Sequence, residues 1–308
     1  MNSPTKSARL ALREEIAFIP SSSKVSLETK IFHGSKNRDT CILLAHPYGP
    51  LGGNMDNNVI RALFENFATQ GYMTVRFNFR GVGKSSGRTT ARGMGEIEDV
   101  LSIYKYVRDQ VNLAPRRFVV CGYSYGSVAA SAAASEIKEL AGIISISYPS
   151  SVLWALTFFN SKKFTDAFAS TSVPKLFLMG NKDNFTGISS HTSFIDGFPE
   201  PKESIVMSDV DHFWFGYEDS ICGHVNTWMK RSGLTKLPSA LSTPSTATIP
   251  GTPTKYGSAR SPEFPTPTKL KGSLMALAVS IKDDDGDDSP QPLGKSPLSR
   301  SEPALSNK

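Results

Sequence analysis

The chain is poor in cysteine, in charge and in long apolar runs, and each shortage excludes a class of protein. Only three cysteines occur in 308 residues, Cys41, Cys121 and Cys222, and no two stand in a CxxC pair. An odd, scattered set fits a reducing compartment better than a disulfide framework. Charged residues make up 20% of the chain, and the net charge of +6 is not gathered into any basic block of five or more. Nucleic acid is therefore not an expected partner. The first fifteen residues, MNSPTKSARLALREE, hold no apolar core of the kind a secretion signal needs. The longest uncharged stretch, Leu140 to Ser161, is diluted by Pro149 and several serines and reads as buried strand plus helix, not a membrane span. A cytoplasmic protein is expected, with the nucleus also open to it. There is no HExxH and no Cys/His array, so neither metal nor other cofactor is expected. GVGKSS resembles a phosphate loop only superficially, because the glycine needed at position 78 is Asn78.

Proline is unevenly spread. Nine prolines lie in residues 1–235 and eleven in the 73 residues that follow, where the only aromatics are Tyr256 and Phe264. Such a segment buries too little apolar surface to offset its ordering entropy, so 236–308 is expected to be a disordered tail and 12–235 the folded domain. The tail carries six Ser/Thr-Pro steps, at Thr243, Thr252, Ser261, Thr266, Ser289 and Ser296. A proline-directed kinase is the partner those steps suit, although Pro-rich linkers also acquire such dipeptides by composition alone. Leu270, Leu274, Leu277 and Ile281 form an apolar island at helical spacing, either a docking face or an accidental cluster. The acidic run 283–288 is not a calcium loop, because Ile281 and Pro292 occupy the positions of its first and last carboxylates.

Between Glu14 and Gly233, β-rich runs alternate with amphipathic ones. EEIAFI and VSLETKIF alternate in polarity. CILLAH, YMTVRFNF, RFVVCGY, GIISIS, KLFLMG and ESIVMS are mostly continuous apolar runs, as strands buried on both faces are. The segments from Asn57, Gly95, Ser127 and Tyr217 read as helices, the third running to Leu140. Repeated β-then-α order predicts an α/β fold with a mainly parallel sheet covered on both sides. In such sheets ligands bind beyond the carboxyl ends of the strands, so residues just past each strand are the candidates for chemistry.

After RFVVC comes Gly122-Tyr123-Ser124-Tyr125-Gly126, followed at once by a helix rich in small residues. A GxSxG between strand and helix is a nucleophile elbow: the turn is so sharp that the serine projects clear of the sheet and only glycines fit beside it. A serine hydroxyl needs a base, and the base an orienting acid. KLFLMG is followed by Asn181-Lys182-Asp183, and ESIVMS by Asp209-Val210-Asp211-His212. Asp183 and His212 complete the order Ser, Asp, His at three strand ends. Asp209 and Asp211 are alternative acids, nearer the histidine in sequence. His46 also stands at a strand end, whereas His33, His191 and His224 suit packing or solvated roles.

With these residues the chain resembles the α/β-hydrolase superfamily over nearly all of residues 12–233. His46–Ile60 (HPYGPLGGNMDNNVI) and Phe77–Gly87 (FNFRGVGKSSG) are similar to a branch of small intracellular hydrolases akin to dienelactone hydrolases and the catalytic domain of prolyl-oligopeptidase-type peptidases. The chain reads HPYGPLGG where that branch more often has HPHPLYGG. The resemblance implies eight strands, the second antiparallel, a short cap over roughly 149–174, and serine esterase or peptidase chemistry. It places the loop at His46-Pro47-Tyr48 beside the oxyanion. Pro47 has no N–H, so Tyr48 and Tyr125 are the expected donors. His46, Tyr123, Phe213 and Trp214 are expected to contact substrate, and Leu153, Trp154, Leu156, Phe158 and Phe159 to line a pocket or pack on the sheet. Arg80 is expected to clamp loops.

The activity this implies is hydrolysis of a carboxylic ester or thioester of a small soluble molecule through an acyl-enzyme on Ser124. An Xaa-Pro or other serine peptidase is the alternative on the same fold. A non-enzymatic scaffold acting through its phosphorylatable tail is a third reading, from another class.

Overall fold

The structure, a computed structural model, describes residues 14–21, 24–109 and 115–235. The expected tail, with its Ser/Thr-Pro steps and apolar island, lies outside the described residues. Eight strands form one sheet: β1 (Glu15–Pro20), β2 (Ser26–Phe32), β3 (Asn37–Ala45), β4 (Tyr72–Phe77), β5 (Arg117–Tyr123), β6 (Leu140–Ile146), β7 (Lys175–Gly180) and β8 (Lys202–Met207). Their order is β1-β2-β4-β3-β5-β6-β7-β8. β2 runs antiparallel to both neighbours, and every pairing from β4 to β8 is parallel. The superfamily topology is thus present.

Burial follows the sequence pattern. Every residue of β4 and β7, the continuous apolar runs, is buried, whereas β1 and β8 at the sheet edges are partly exposed. One face is covered by α2 (Met94–Asp109), α3 (Tyr125–Ala134), α5 (Ser161–Ala169) and α6 (Ile188–Asp196), whose Val100, Ile103, Val128, Phe164, Phe168 and Ile195 join the core there. The other is covered by α1 (Asn58–Thr69) and α7 (Glu218–Arg231), through Leu63, Phe64, Phe67, Val225 and Trp228. Asn57 caps α1 by accepting the N–H of Val59 at 3.0 Å, the side-chain cap a helix start needs.

One boundary differs from expectation. α3 stops at Ala134, not Leu140, because Glu136 and Ile137 donate to Ala133 and Ala134, three residues back, and the turn feeds β6. No helix among the described residues is long and apolar enough to cross a membrane. A short α4 (Leu153–Leu156) sits between β6 and α5 where the cap was expected.

Candidate active site

β5 delivers Ser124 on a turn with φ 54° and ψ −123°, a conformation few non-glycine residues adopt. Both flanking glycines are required by contact. A Cβ on Gly122 would lie 2.3 Å from the Gly126 carbonyl oxygen, and one on Gly126 would lie 2.2 Å from that of Ala45. The elbow is therefore pressed between the end of β3 and the first turn of α3, and its serine can point only away from the sheet.

The turns after β7 and β8 bring the partners. His212 Nε2 lies 2.9 Å from Ser124 Oγ, and His212 Nδ1 lies 2.7 Å from Asp183 Oδ2. A carboxylate only accepts, so Nδ1 carries the proton and Nε2 presents its lone pair to the serine hydroxyl. Asp183 Oδ1 accepts the N–H groups of Phe185 at 2.8 Å and Thr186 at 3.1 Å. Burial alone would raise the Asp183 carboxyl, but His212 and these two N–H groups outweigh it and hold it below its ordinary value. The other acids are engaged elsewhere: Asp209 is exposed and pairs with Lys182 at 2.8 Å, and Asp211 accepts the Phe213 N–H at 2.9 Å. Such a relay can move a proton from a serine to an imidazole without exposing an unpaired charge.

Tyr123 donates its phenol to the His212 carbonyl at 2.6 Å, and its ring lies 5.7 Å from the imidazole. It therefore holds the histidine turn as well as lining the cleft. Asn58 supports the next residue, donating to the Phe213 carbonyl at 3.1 Å. Tyr125 opens α3, so its backbone N–H has no carbonyl one turn back. Its side chain is buried, packs edge-on to Tyr48 at 4.9 Å, and sets its hydroxyl near Glu96 without hydrogen-bond geometry. The Tyr48 carbonyl accepts from Leu51 and Gly53, fixing the loop after β3.

The cleft around Ser124 encloses about 540 Å³, its open mouth included. Its lining takes in Tyr48, Tyr123, Phe213, Leu156, Val152 and Phe185. Two expected substrate contacts are corrected. His46 is completely buried, accepts the Phe79 N–H on Nε2 at 3.0 Å, and faces the Pro47 carbonyl with Nδ1 at 2.5 Å. Nε2 thereby ties the end of β3 to the chain just past β4, and Nδ1 is held by the neighbouring carbonyl, so neither ring nitrogen is free for substrate. Trp214 is also fully buried, its indole N–H donating to Ser147 Oγ at 2.9 Å, so it is core. Of the cap residues, Leu156 lines the cleft, Leu153 is core, and Trp154 and Phe159 face outward. Asn57, Pro149 and Phe185 also line it, and sequence reasoning did not single them out. Asn57 had a signal, a capping residue just before a helix, but it pointed to α1 and not to the cleft. Among the described residues no three His, Cys, Asp or Glu side chains are grouped to hold a metal.

Burial of histidine has a measurable consequence. Desolvation lowers His46 from its ordinary 6.5 to about 4, the Pro47 contact opposing it only in part, and burial lowers His191 to about 4 as well. The unfolded chain therefore binds more protons than the native one between those values. The penalty is absent above neutrality, grows as pH falls through 6.5 and levels off below about 4. At pH 5 each histidine should cost about 2 kcal/mol relative to pH 7.5. Urea unfolding at the two pH values checks this, and equal stabilities would contradict it.

The fold and this site define the α/β serine hydrolases as the class. Within that class the chain belongs to the X-Pro dipeptidyl-peptidase (S15) family, whose model matches residues 24–212. The uncharacterised protein RP471 of Rickettsia prowazekii is 24% identical over 177 residues, 56% of this chain and 71% of that protein. The structure is similar to XC6422 from Xanthomonas campestris, described as an α/β serine hydrolase without a lid: TM-score 0.62, 21% identity, 73% of this chain and 97% of the other. An α-β serine hydrolase homologue from Coxiella burnetii gives 0.60 at 27% identity, covering 70% and 96%. The Pyrococcus furiosus esterase Pf2001 gives 0.60 at 21%, covering 72% and 91%.

Proposed function

We propose that this chain hydrolyses a neutral carboxylic ester or thioester of a small molecule through an acyl-enzyme on Ser124. The Ser124 oxygen attacks the carbonyl carbon and its proton passes to His212 Nε2, while Asp183 orients the imidazole and stabilises its cation. The backbone N–H groups of Tyr48 and Tyr125 receive the oxyanion. Collapse of the tetrahedral adduct expels the alcohol or thiol, which takes the proton from His212. Water then repeats the sequence on the acyl-serine, and the acid leaves. The observation that supports this reading is the continuous relay of 2.7 and 2.9 Å ending on a serine held in the elbow conformation.

The family match favours a second reading, removal of an N-terminal Xaa-Pro dipeptide. That substrate carries a free ammonium two residues from the bond to be cut. Among the described residues the cleft offers it no carboxylate: His212 is the only titratable lining group there apart from the tyrosines. An ammonium left unpaired among Tyr48, Val152, Leu156, Phe185 and Phe213 costs about 3 kcal/mol or more, so a neutral acyl group is favoured. The test compares a neutral aryl butyrate with Ala-Pro-p-nitroanilide, and the latter with its N-acetyl form. The ester should turn over, and the free dipeptide should be worse than the acetylated one by about 100-fold. Efficient release from the free dipeptide alone would establish the peptidase reading instead.

A further inference from the structure

The cap carries a feature that hydrolysis of a small molecule does not use. Immediately after α4, Phe158 and Phe159 both take left-handed backbone conformations, with φ 46° and 62°. Bulky residues avoid this region, so two in succession mark a turn held by its surroundings. The result is outward display. Phe159 is 71% exposed and Trp154 38%. Their rings pack on each other at 5.4 Å, and Phe158 closes on Phe159 at 5.8 Å. The cluster is attached to the cleft through α4, since Val152 and Leu156 on either side of Trp154 line it.

Cations border the cluster. Lys162 and Lys163 follow it at the start of α5 and are exposed; Lys162 pairs with Asp166 in solvent, and no acid is paired with Lys163 among the described residues. From the other side comes the loop between β4 and α2. Asn160 contacts Met94 at 4.0 Å, and Gly93 lies against the Phe164 ring, so exposed Arg92 is next in the chain to a residue that touches α5. The one acid within the cap helix, Asp166, is already matched by Lys162. An exposed aromatic cluster flanked by unmatched cations is the surface chemistry of proteins that rest on anionic lipid: rings enter the headgroup boundary and ammonium groups meet phosphates.

We propose that this lip, Trp154, Phe158 and Phe159 with Lys163 and Arg92, docks on an anionic lipid surface and so brings the mouth of the cleft to it. This is peripheral seating and asks for no spanning helix. It does not depend on the proposed ester chemistry, because binding is read without turnover.

The protein carries its own probe. It has three tryptophans, of which Trp214 and Trp228 are buried at 0% and 2% exposure, so a change in Trp emission on binding reports Trp154. The full chain is mixed with vesicles of phosphatidylcholine alone or of phosphatidylcholine with phosphatidylglycerol. Emission should shift to the blue and protein should sediment with the mixed vesicles, less so as salt is raised. Phe159→Ser should lower partitioning by about tenfold or more, and Lys163→Glu by about fivefold or more. Urea midpoints of both variants should match the wild type, separating lost docking from lost folding. The proposal is overturned if neither vesicle shifts Trp emission or sediments protein. It is equally overturned if neutral vesicles bind as well as anionic ones, or if Phe159→Ser sediments like wild type, which would move the contact to the chain beyond residue 235.

Discussion

Ser124→Ala should abolish labelling by a fluorophosphonate probe and lower kcat by about four to six orders of magnitude, leaving the fold intact. Chemistry and stability separate here for a structural reason. Among the described residues the serine hydroxyl makes one hydrogen bond, to His212 Nε2, while the strained turn is held by the backbone packing of Gly122 and Gly126. Alanine keeps the Cβ that already occupies φ 54°, so the unfolding free energy should change by less than about 1 kcal/mol. His212→Ala should cost nearly as much activity, since Ser124 then has no base. Asp183→Ala should cost somewhat less. Intact-mass measurement after probe treatment checks all three. A labelled Ser124→Ala protein would disprove the nucleophile, and a well-folded wild type that takes no label would turn attention to the scaffold reading.

The residues of this relay were legible in the sequence because each depends on chain order and backbone position alone. Ser124, Asp183 and His212 each follow a β-rich run, and the parallel sheet brings such positions to one edge whatever their separation. The same rule misplaced His46 and Trp214. It locates a Cα at the sheet edge but not the direction of the side chain, and both turn inward to bonds with the Phe79 N–H and the Ser147 hydroxyl. Those partners are distant in sequence and carry no spacing signal. Strand-end position favours Asp183 over Asp209 and Asp211, whose local spacing to His212 seldom fits the required geometry. In the structure Lys182 and the Phe213 N–H occupy the other two acids. The cap was legible only as an apolar run. Its outward turn is set by two left-handed phenylalanines, a backbone state for which LWALTFF (153–159) holds no glycine or asparagine to give notice.

Asp99→Ala should be among the most destabilising single changes in the domain, by about 3–5 kcal/mol. Arg80, read from sequence as a loop clamp, sits just past β4, and its guanidinium is almost wholly buried against completely buried Asp99. Asp99 accepts the Arg80 backbone N–H at 2.9 Å, its Nε at 3.1 Å and its Nη2 at 2.8 Å. The guanidinium lies so close over the start of α2 that a Cβ on Gly95 would be 2.3 Å from Nη1. There is no room for it to swing out to water. Removing the carboxylate leaves a buried cation whose remaining side-chain hydrogen-bond partners among the described residues are Glu98, at 3.3 Å on the exposed rim, and Ser21, at 3.4 Å, with buried Glu96 acting on it through charge without a hydrogen bond. For a domain of this size that loss lowers Tm by roughly 10 °C. A double change to Arg80→Met with Asp99→Leu should recover much of it, because two apolar groups avoid the desolvation that the pair must offset. Calorimetry on the two single variants and the double one gives the coupling directly. A coupling below about 1 kcal/mol would mean that the pair acts like an exposed surface bridge, and that α2 is held to β4 by its apolar face alone.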